Sequence, residues 1–98
     1  TKKVKSLYHE AELSARRLTD QICTAEPDNH RLISGFAHAL AGLCSNFGFI
    51  ALGAIAGEIQ QRKINSTNYT MRLQVDVQQL IECCEQTFEG LPNAISEL

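Results

Sequence analysis

Residues 29–48 read Asn29-His30-Arg31-Leu32-Ile33-Ser34-Gly35-Phe36-Ala37-His38-Ala39-Leu40-Ala41-Gly42-Leu43-Cys44-Ser45-Asn46-Phe47-Gly48. Large apolar residues recur here at spacings of three and four, the period of a helix with one face on a core. At about 100° per residue, with Phe36 as origin, Leu32, Leu40, Leu43 and Phe47 fall within about 40° of it and form the expected core stripe. His38 falls at about 200°, nearly opposite, beside Arg31, Ser34, Ala41, Gly42 and Ser45. The pattern therefore predicts a helix over about Asn29 to Phe47 that buries leucine and phenylalanine and exposes a histidine ringed by small side chains.

Working outward, three more segments carry helical periodicity. The first runs from about Lys2 to Cys23 with Val4, Leu7, Ala11, Leu18 and Ile22 on its apolar face, and stops before Glu26-Pro27-Asp28. Proline disfavours helix at the residue before it, and Asp28 is suited to cap the second helix. Gly48 can turn the chain into the third segment, about Ile50 to Lys63, with Leu52, Ile55 and Ile59 inward. Asn65 to Asn68 supply capping residues for the fourth, roughly Asn68 to Glu89, with Leu73, Val77, Leu80, Ile81, Cys84 and Phe88 on one face. Gly90-Leu91-Pro92 reads as its stop signal, and the residues beyond Pro92 as a short extra turn or a frayed end. No window alternates long enough to argue for a strand. The expected fold is all-α, an antiparallel up-and-down four-helix bundle forming a single domain over residues 1–98.

Composition narrows the function. The 98 residues are 44% hydrophobic and 20% charged, with a formal net charge of −2. That is the balance of a folded globular domain rather than a disordered tail. A sequence pI of about 5.8, no tryptophan and no long basic run argue against nucleic acid, since Lys2, Lys3 and Lys5 are a terminal cluster. The longest apolar stretch, Phe47 to Gly57, has 11 residues, too few for the roughly 20 of a spanning helix; it is read as a buried hairpin. Asn65-Ser66-Thr67 and Asn68-Tyr69-Thr70 match the glycosylation triplet but also suit a polar turn and helix start. Cys23, Cys44, Cys83 and Cys84 form no CxxC pair and have no zinc spacing with His9, His30 or His38. Reduced thiols in a cytoplasmic chain are the simpler expectation, with at least one of Cys83 and Cys84 in the core.

Glycine usage points back to His38. Gly35, Gly42, Gly53 and Gly57 lie inside expected helices, where each costs up to about 1 kcal/mol against alanine. Close helix packing is one use for Gly53 and Gly57. Gly42, one turn after His38 on the outer side, instead leaves room for a bulky group on the imidazole or for an approaching protein.

The run His38-Ala39-Leu40-Ala41-Gly42-Leu43-Cys44-Ser45-Asn46-Phe47-Gly48 resembles the signature of histidine phosphotransfer (HPt) domains, approximately H-x-L-K-G-S-[SAC]-x-x-[LF]-G. Helix order, with the histidine in the second of four and a glycine-marked turn into the third, is similar over nearly the whole chain. The resemblance implies that His38 accepts a phosphoryl group from a receiver-domain aspartate and passes it to another. It also implies a Glu or Gln on the third helix bonded to the imidazole. Gln60, 22 residues on, matches that position; Gln61 is the alternative. Ala41 stands where the family commonly has lysine, Leu43 where it has a small residue, and Ser45 shares the histidine's face. Arg31 is the nearest substitute cation. His9 and His30, without a motif, are read as surface or boundary residues.

The resemblance implies no ATP site and no cofactor of the domain's own, with Mg²⁺ and the acidic site supplied by the receiver. No Walker-type GxxxxGK[ST] occurs, and the inward Glu-x-x-His ligands of a metal-binding bundle are lacking. The expected partners are response-regulator receiver domains, with no nucleic acid, no insertion into a membrane and a monomeric isolated domain. The expected location is cytoplasmic, as a free relay protein or as the cytoplasmic end of a hybrid sensor kinase. Two other readings remain: a binding-only adaptor with the HPt fold, which Ala41 permits, and a helical oligomerisation module that covers the His38 face in a dimer.

Overall fold

The computed structural model describes residues 2–62 and 68–96, and side chains over 3–62 and 68–90. The described residues form four helices: α1 (Lys2–Thr24), α2 (His30–Phe47), α3 (Ile50–Gln61) and α4 (Tyr69–Ser96). No strand occurs among the described residues. α1 packs on α2 and α4, and α3 packs on the same two, so each helix has two neighbours and none crosses the middle. The body is elongated, 48 × 19 × 19 Å.

Apolar periodicity places the core. Ala11, Ala15 and Ile22 from α1, Leu52, Ala56 and Ile59 from α3, and Leu73, Leu80, Cys84 and Phe88 from α4 are buried together with Ile33, Ala37, Leu40 and Cys44 from α2. Small residues at Ala11, Ala15, Ala37 and Ala56 let the helices approach closely. At one end Tyr8, Phe47, Phe49 and Phe88 make a chain of ring contacts, with Phe49 edge-on to Phe88 at 5.3 Å and Tyr8 edge-on to Phe47 at 5.4 Å. These rings tie the α2–α3 turn to α1 and α4.

The expected α2 stripe is displaced. Ile33, Ala37, Leu40 and Cys44 are the buried positions, centred about 70° from Phe36 on the helical wheel, while Phe36, Leu43 and Phe47 are half-buried. Leu32, expected in the core, is 44% exposed. The cause is that α2 serves two neighbours: Phe47 meets Tyr8 of α1, and Cys44 lies against Gly53 of α3. The buried sector is pulled toward α3 and includes alanine and cysteine as well as the large residues. Similar displacements leave Leu7 and Ile81 exposed, although the sequence pattern puts both on apolar faces.

Helix ends bring further corrections. Gly48 adopts φ 75°, the left-handed cap that stops α2, and its N–H donates to Cys44 O. The N-cap of α2 is Asn29 rather than Asp28, and its side chain makes no capping bond. Instead the Asp28 carbonyl accepts from Nδ1 of His30 at 3.2 Å. The stretch from Phe47 to Gly57 is a helix end, a tight turn and most of α3, but its burial is uneven: Phe49 is inside and Ile50 is 84% exposed. α4 does not stop at Gly90-Leu91-Pro92 and runs to Ser96. Proline there removes one backbone donor near the helix terminus, where a single lost bond is borne more easily than in mid-helix. Lys63 and the capping residues Asn65 to Thr67, with the first glycosylation-type triplet, lie outside the described residues. The second triplet forms the start of α4.

Candidate functional site around His38

His38 is exposed on α2 at the edge facing α3. Core residues Ala37 and Leu40 on either side of it fix the helix rotation. A Cα–Cβ bond leans toward the helix N-terminus, which carries the imidazole over the turn that holds Ser34. From the last turn of α3 the side-chain N–H of Gln60 donates to Nδ1 of His38 at 2.9 Å. Nε2 is thereby the ring nitrogen left toward solvent. Gln61 is exposed and makes no bond to the ring.

The amide gives the site a chemical property that a carboxylate lacks. Its N–H end serves a ring whose Nδ1 carries a lone pair; turned through half a revolution, its Oε1 accepts from Nδ1–H. In the second arrangement Nε2 holds the lone pair and is the nucleophile of a neutral imidazole. One partner therefore serves both proton positions of the ring.

The space around the ring is open on the side that the sequence marked. A Cβ built on Gly42 meets nothing within 4 Å. Ala41 and Ser45 line a groove of about 340 Å³ with Cys44, Gly48, Phe49, Ile50 and Gly53, so both belong to the His38 side of the α2–α3 junction without bonding the ring. Of the other glycines, Gly53 is a packing residue, its Cβ position lying 3.1 Å from Cys44 Cβ, whereas Gly35 and Gly57 face open space.

Toward the N-terminal end of α2 a second cavity, of about 320 Å³, is lined by His30, Arg31, Ser34, Gln60, Arg62 and Tyr69 among others. Arg31 is thus on the same side as Gln60, two turns before His38. His9 is exposed on α1 and takes no part.

Two residues of this region escaped sequence reading. Arg62 caps α3, and its Nε and Nη2 donate to Oδ2 and Oδ1 of Asp76 at 2.6 and 2.9 Å. This pairing raises the Arg62 guanidinium above its ordinary value. Asp76 is 2% exposed, a carboxylate on the core side of α4. Its signal was present: position 76 falls between Leu73 and Leu80 on the apolar face, where a charge demands a partner.

Among the described residues no three His, Cys, Asp or Glu side chains converge as a metal site. No helix there is long and apolar enough to cross a membrane. The four cysteines are free thiols, with Cys44 and Cys84 buried and Cys23 and Cys83 half-buried. Comparison with protein-family models, curated proteins and solved structures gives no match.

Proposed function

We propose that this chain is a histidine phosphotransfer domain and that His38 is its phosphoacceptor in a multistep phosphorelay. The observation that carries this reading is the exposed imidazole whose Nδ1 is held by Gln60 from the neighbouring helix, with open space at Gly42 one turn on. On this reading the four helices run antiparallel, up and down, as the short connections around Glu26–Asn29 and Gly48–Phe49 favour.

The step is an in-line displacement. The Nε2 lone pair attacks the phosphorus of a receiver aspartyl phosphate, the N–P bond forms, and the P–O bond to the aspartate breaks to release its carboxylate. During attack Gln60 Oε1 accepts a hydrogen bond from Nδ1–H, which stays on the ring as Nε2 takes the phosphoryl group; when that proton is lost to solvent, the amide turns and its N–H donates to Nδ1. Reversal onto a second receiver completes the relay. The receiver supplies Mg²⁺ and most of the charge neutralisation, so this domain needs no nucleotide site or cofactor and is not an enzyme by itself. Its partners are receiver domains met in the cytoplasm.

The test is incubation with a receiver charged by acetyl phosphate, followed by peptide mapping. An acid-labile phosphate on His38, lost in His38→Gln at unchanged helicity, is the expected result. Label retained in that variant, or found on His9 or His30, refutes the assignment. The adaptor reading is favoured by one observation: the position of the family's lysine is Ala41, half-buried in the groove wall. A wild-type chain that binds a charged receiver and takes no phosphate would establish it.

A further inference from the structure

The structure assigns Arg62 and Asp76 as a positioning pair that holds the Gln60 amide against His38, an inference that rests on the phosphotransfer reading for its consequence but not for its geometry. Gln60 sits in the last turn of α3, which ends at Gln61. The final carbonyls of a helix lack intrahelical partners, and such ends open locally at low cost. The backbone alone closes this end weakly: the Arg62 N–H reaches Ile59 O at 3.3 Å, and Arg62 has already left helical conformation at ψ 130°. The side chain of Arg62 supplies the anchor, since its two donors engage both oxygens of Asp76 in a fork that fixes orientation as well as distance.

The partner is on a rigid element. Asp76 lies within α4 between buried Leu73 and Leu80, and among the described residues its side chain bonds to Arg62 alone. A leucine at that position would avoid the cost of desolvating a carboxylate, so the buried pair is poorly explained by stability alone. Its location gives the explanation. Arg62 is two residues from Gln60, and both side chains line the same cavity with Ser34 and Tyr69. The line of restraint runs from Asp76 to Arg62, through the last turn of α3 to Gln60, and from there to Nδ1. The final link is short of tolerance: a bond of 2.9 Å stretched by about 0.7 Å is no longer a hydrogen bond.

Asp76→Asn and Arg62→Lys test the pair in the intact chain. Asparagine keeps the shape and removes the charge; lysine keeps the charge and removes the fork, and Arg62→Lys serves where Asp76→Asn destabilises the fold. Two quantities are read in each: the nuclear Overhauser contact between the Gln60 carboxamide protons and the His38 ring, and the single-turnover rate of phosphoryl transfer from a charged receiver. The expected result is a weakened contact and a rate lower by about 10-fold or more. In a Gln60→Ala background the same substitutions lower the rate no further, because their effect passes through Gln60. A folded variant that keeps the Overhauser contact overturns the assignment, and so does an equal additional loss of rate in the Gln60→Ala background, which marks a merely structural role. Wild-type protein that takes no phosphate refutes the phosphotransfer reading alone, and the Overhauser measurement then decides the pair by itself.

Discussion

Gly42 separates folding from access more cleanly than any other position beside His38. It lies in the interior of α2, is exposed, does not have positive φ, and an added Cβ meets no atom within 4 Å. Alanine there gains helix propensity at no steric cost, about 0.8 to 1 kcal/mol. For a domain of this size that corresponds to a rise of roughly 4–8 °C in Tm. Leucine keeps most of the gain, being nearly as good a helix former, but its side chain lies over the preceding turn, the turn that carries His38. Gly42→Leu should therefore melt at or above the wild-type temperature and accept phosphate from a receiver at least about 10-fold more slowly, since a misplaced approach of the reacting groups is costly. Gly35→Ala, also in open space on α2, is the control for propensity and should match the gain in Tm of Gly42→Ala. Thermal denaturation followed by circular dichroism and single-turnover labelling supply the two readouts. A Gly42→Ala variant that melts lower, or a folded Gly42→Leu variant labelled at the wild-type rate, refutes the reasoning.

Two further outcomes are expected. Ala41→Lys places an ammonium one turn beyond His38; an exposed charge pair is worth about 0 to 1 kcal/mol, so phosphohistidine lifetime or transfer rate should rise several-fold at most. Wild type that is inert and rescued by the lysine would instead support the adaptor. Burial pushes the Cys44 thiol from 9.0 up to about 12, so the unfolded chain loses this proton first and the folded chain keeps it. The group leaves stability unaffected below about pH 9 and lowers it as pH rises from there toward 12, by up to about 1.4 kcal/mol per pH unit. Urea titrations across that range should show the decline, and Cys44→Ala should make it shallower; an identical slope in the variant would contradict the burial argument.

The number of helices, the left-handed Gly48 and the exposure of His38 were legible because each depends on local chemistry: apolar period, a cap residue, and position on one wheel. Helix rotation was legible only coarsely. A wheel that weighs leucine and phenylalanine above alanine and cysteine finds the mean apolar direction, whereas α2 turns toward the neighbour that approaches nearest, which is why Leu32 is exposed and Ala37 is not. Gly90-Leu91-Pro92 is a stop signal in isolation, yet α4 continues through it to Ser96. Gln60 is legible from the resemblance, through its place 22 residues after His38. Arg62 and Asp76, 14 residues apart, escaped because their pairing depends on where α3 ends relative to the middle of α4, which no periodicity encodes.

The packing of α2 on α3 connects these elements. Only Gly48 and Phe49 separate α2 from α3, so α3 starts close to the end of α2, and Phe49 is buried there against Phe88 of α4. One turn later Gly53 meets Cys44 where a side chain would find Cys44 Cβ 3.1 Å away, tighter than an ordinary contact. The absence of a Cβ at position 53 thus sets the separation of the two helices. Gln60 is seven residues further along α3, about 10 Å at 1.5 Å per residue, and a five-atom side chain spans to the ring only if that separation persists. Arg62 and Asp76 restrain the far end as Gly48, Phe49 and Gly53 restrain the near one. An exposed histidine on a single helix would sample many orientations at the cost of side-chain entropy on each encounter. Tied to α3 through Gln60, the His38 ring has that cost met during folding, and on the proposed reading its outward nitrogen stands over a surface of alanine, glycine and serine that a receiver would approach without displacing a side chain.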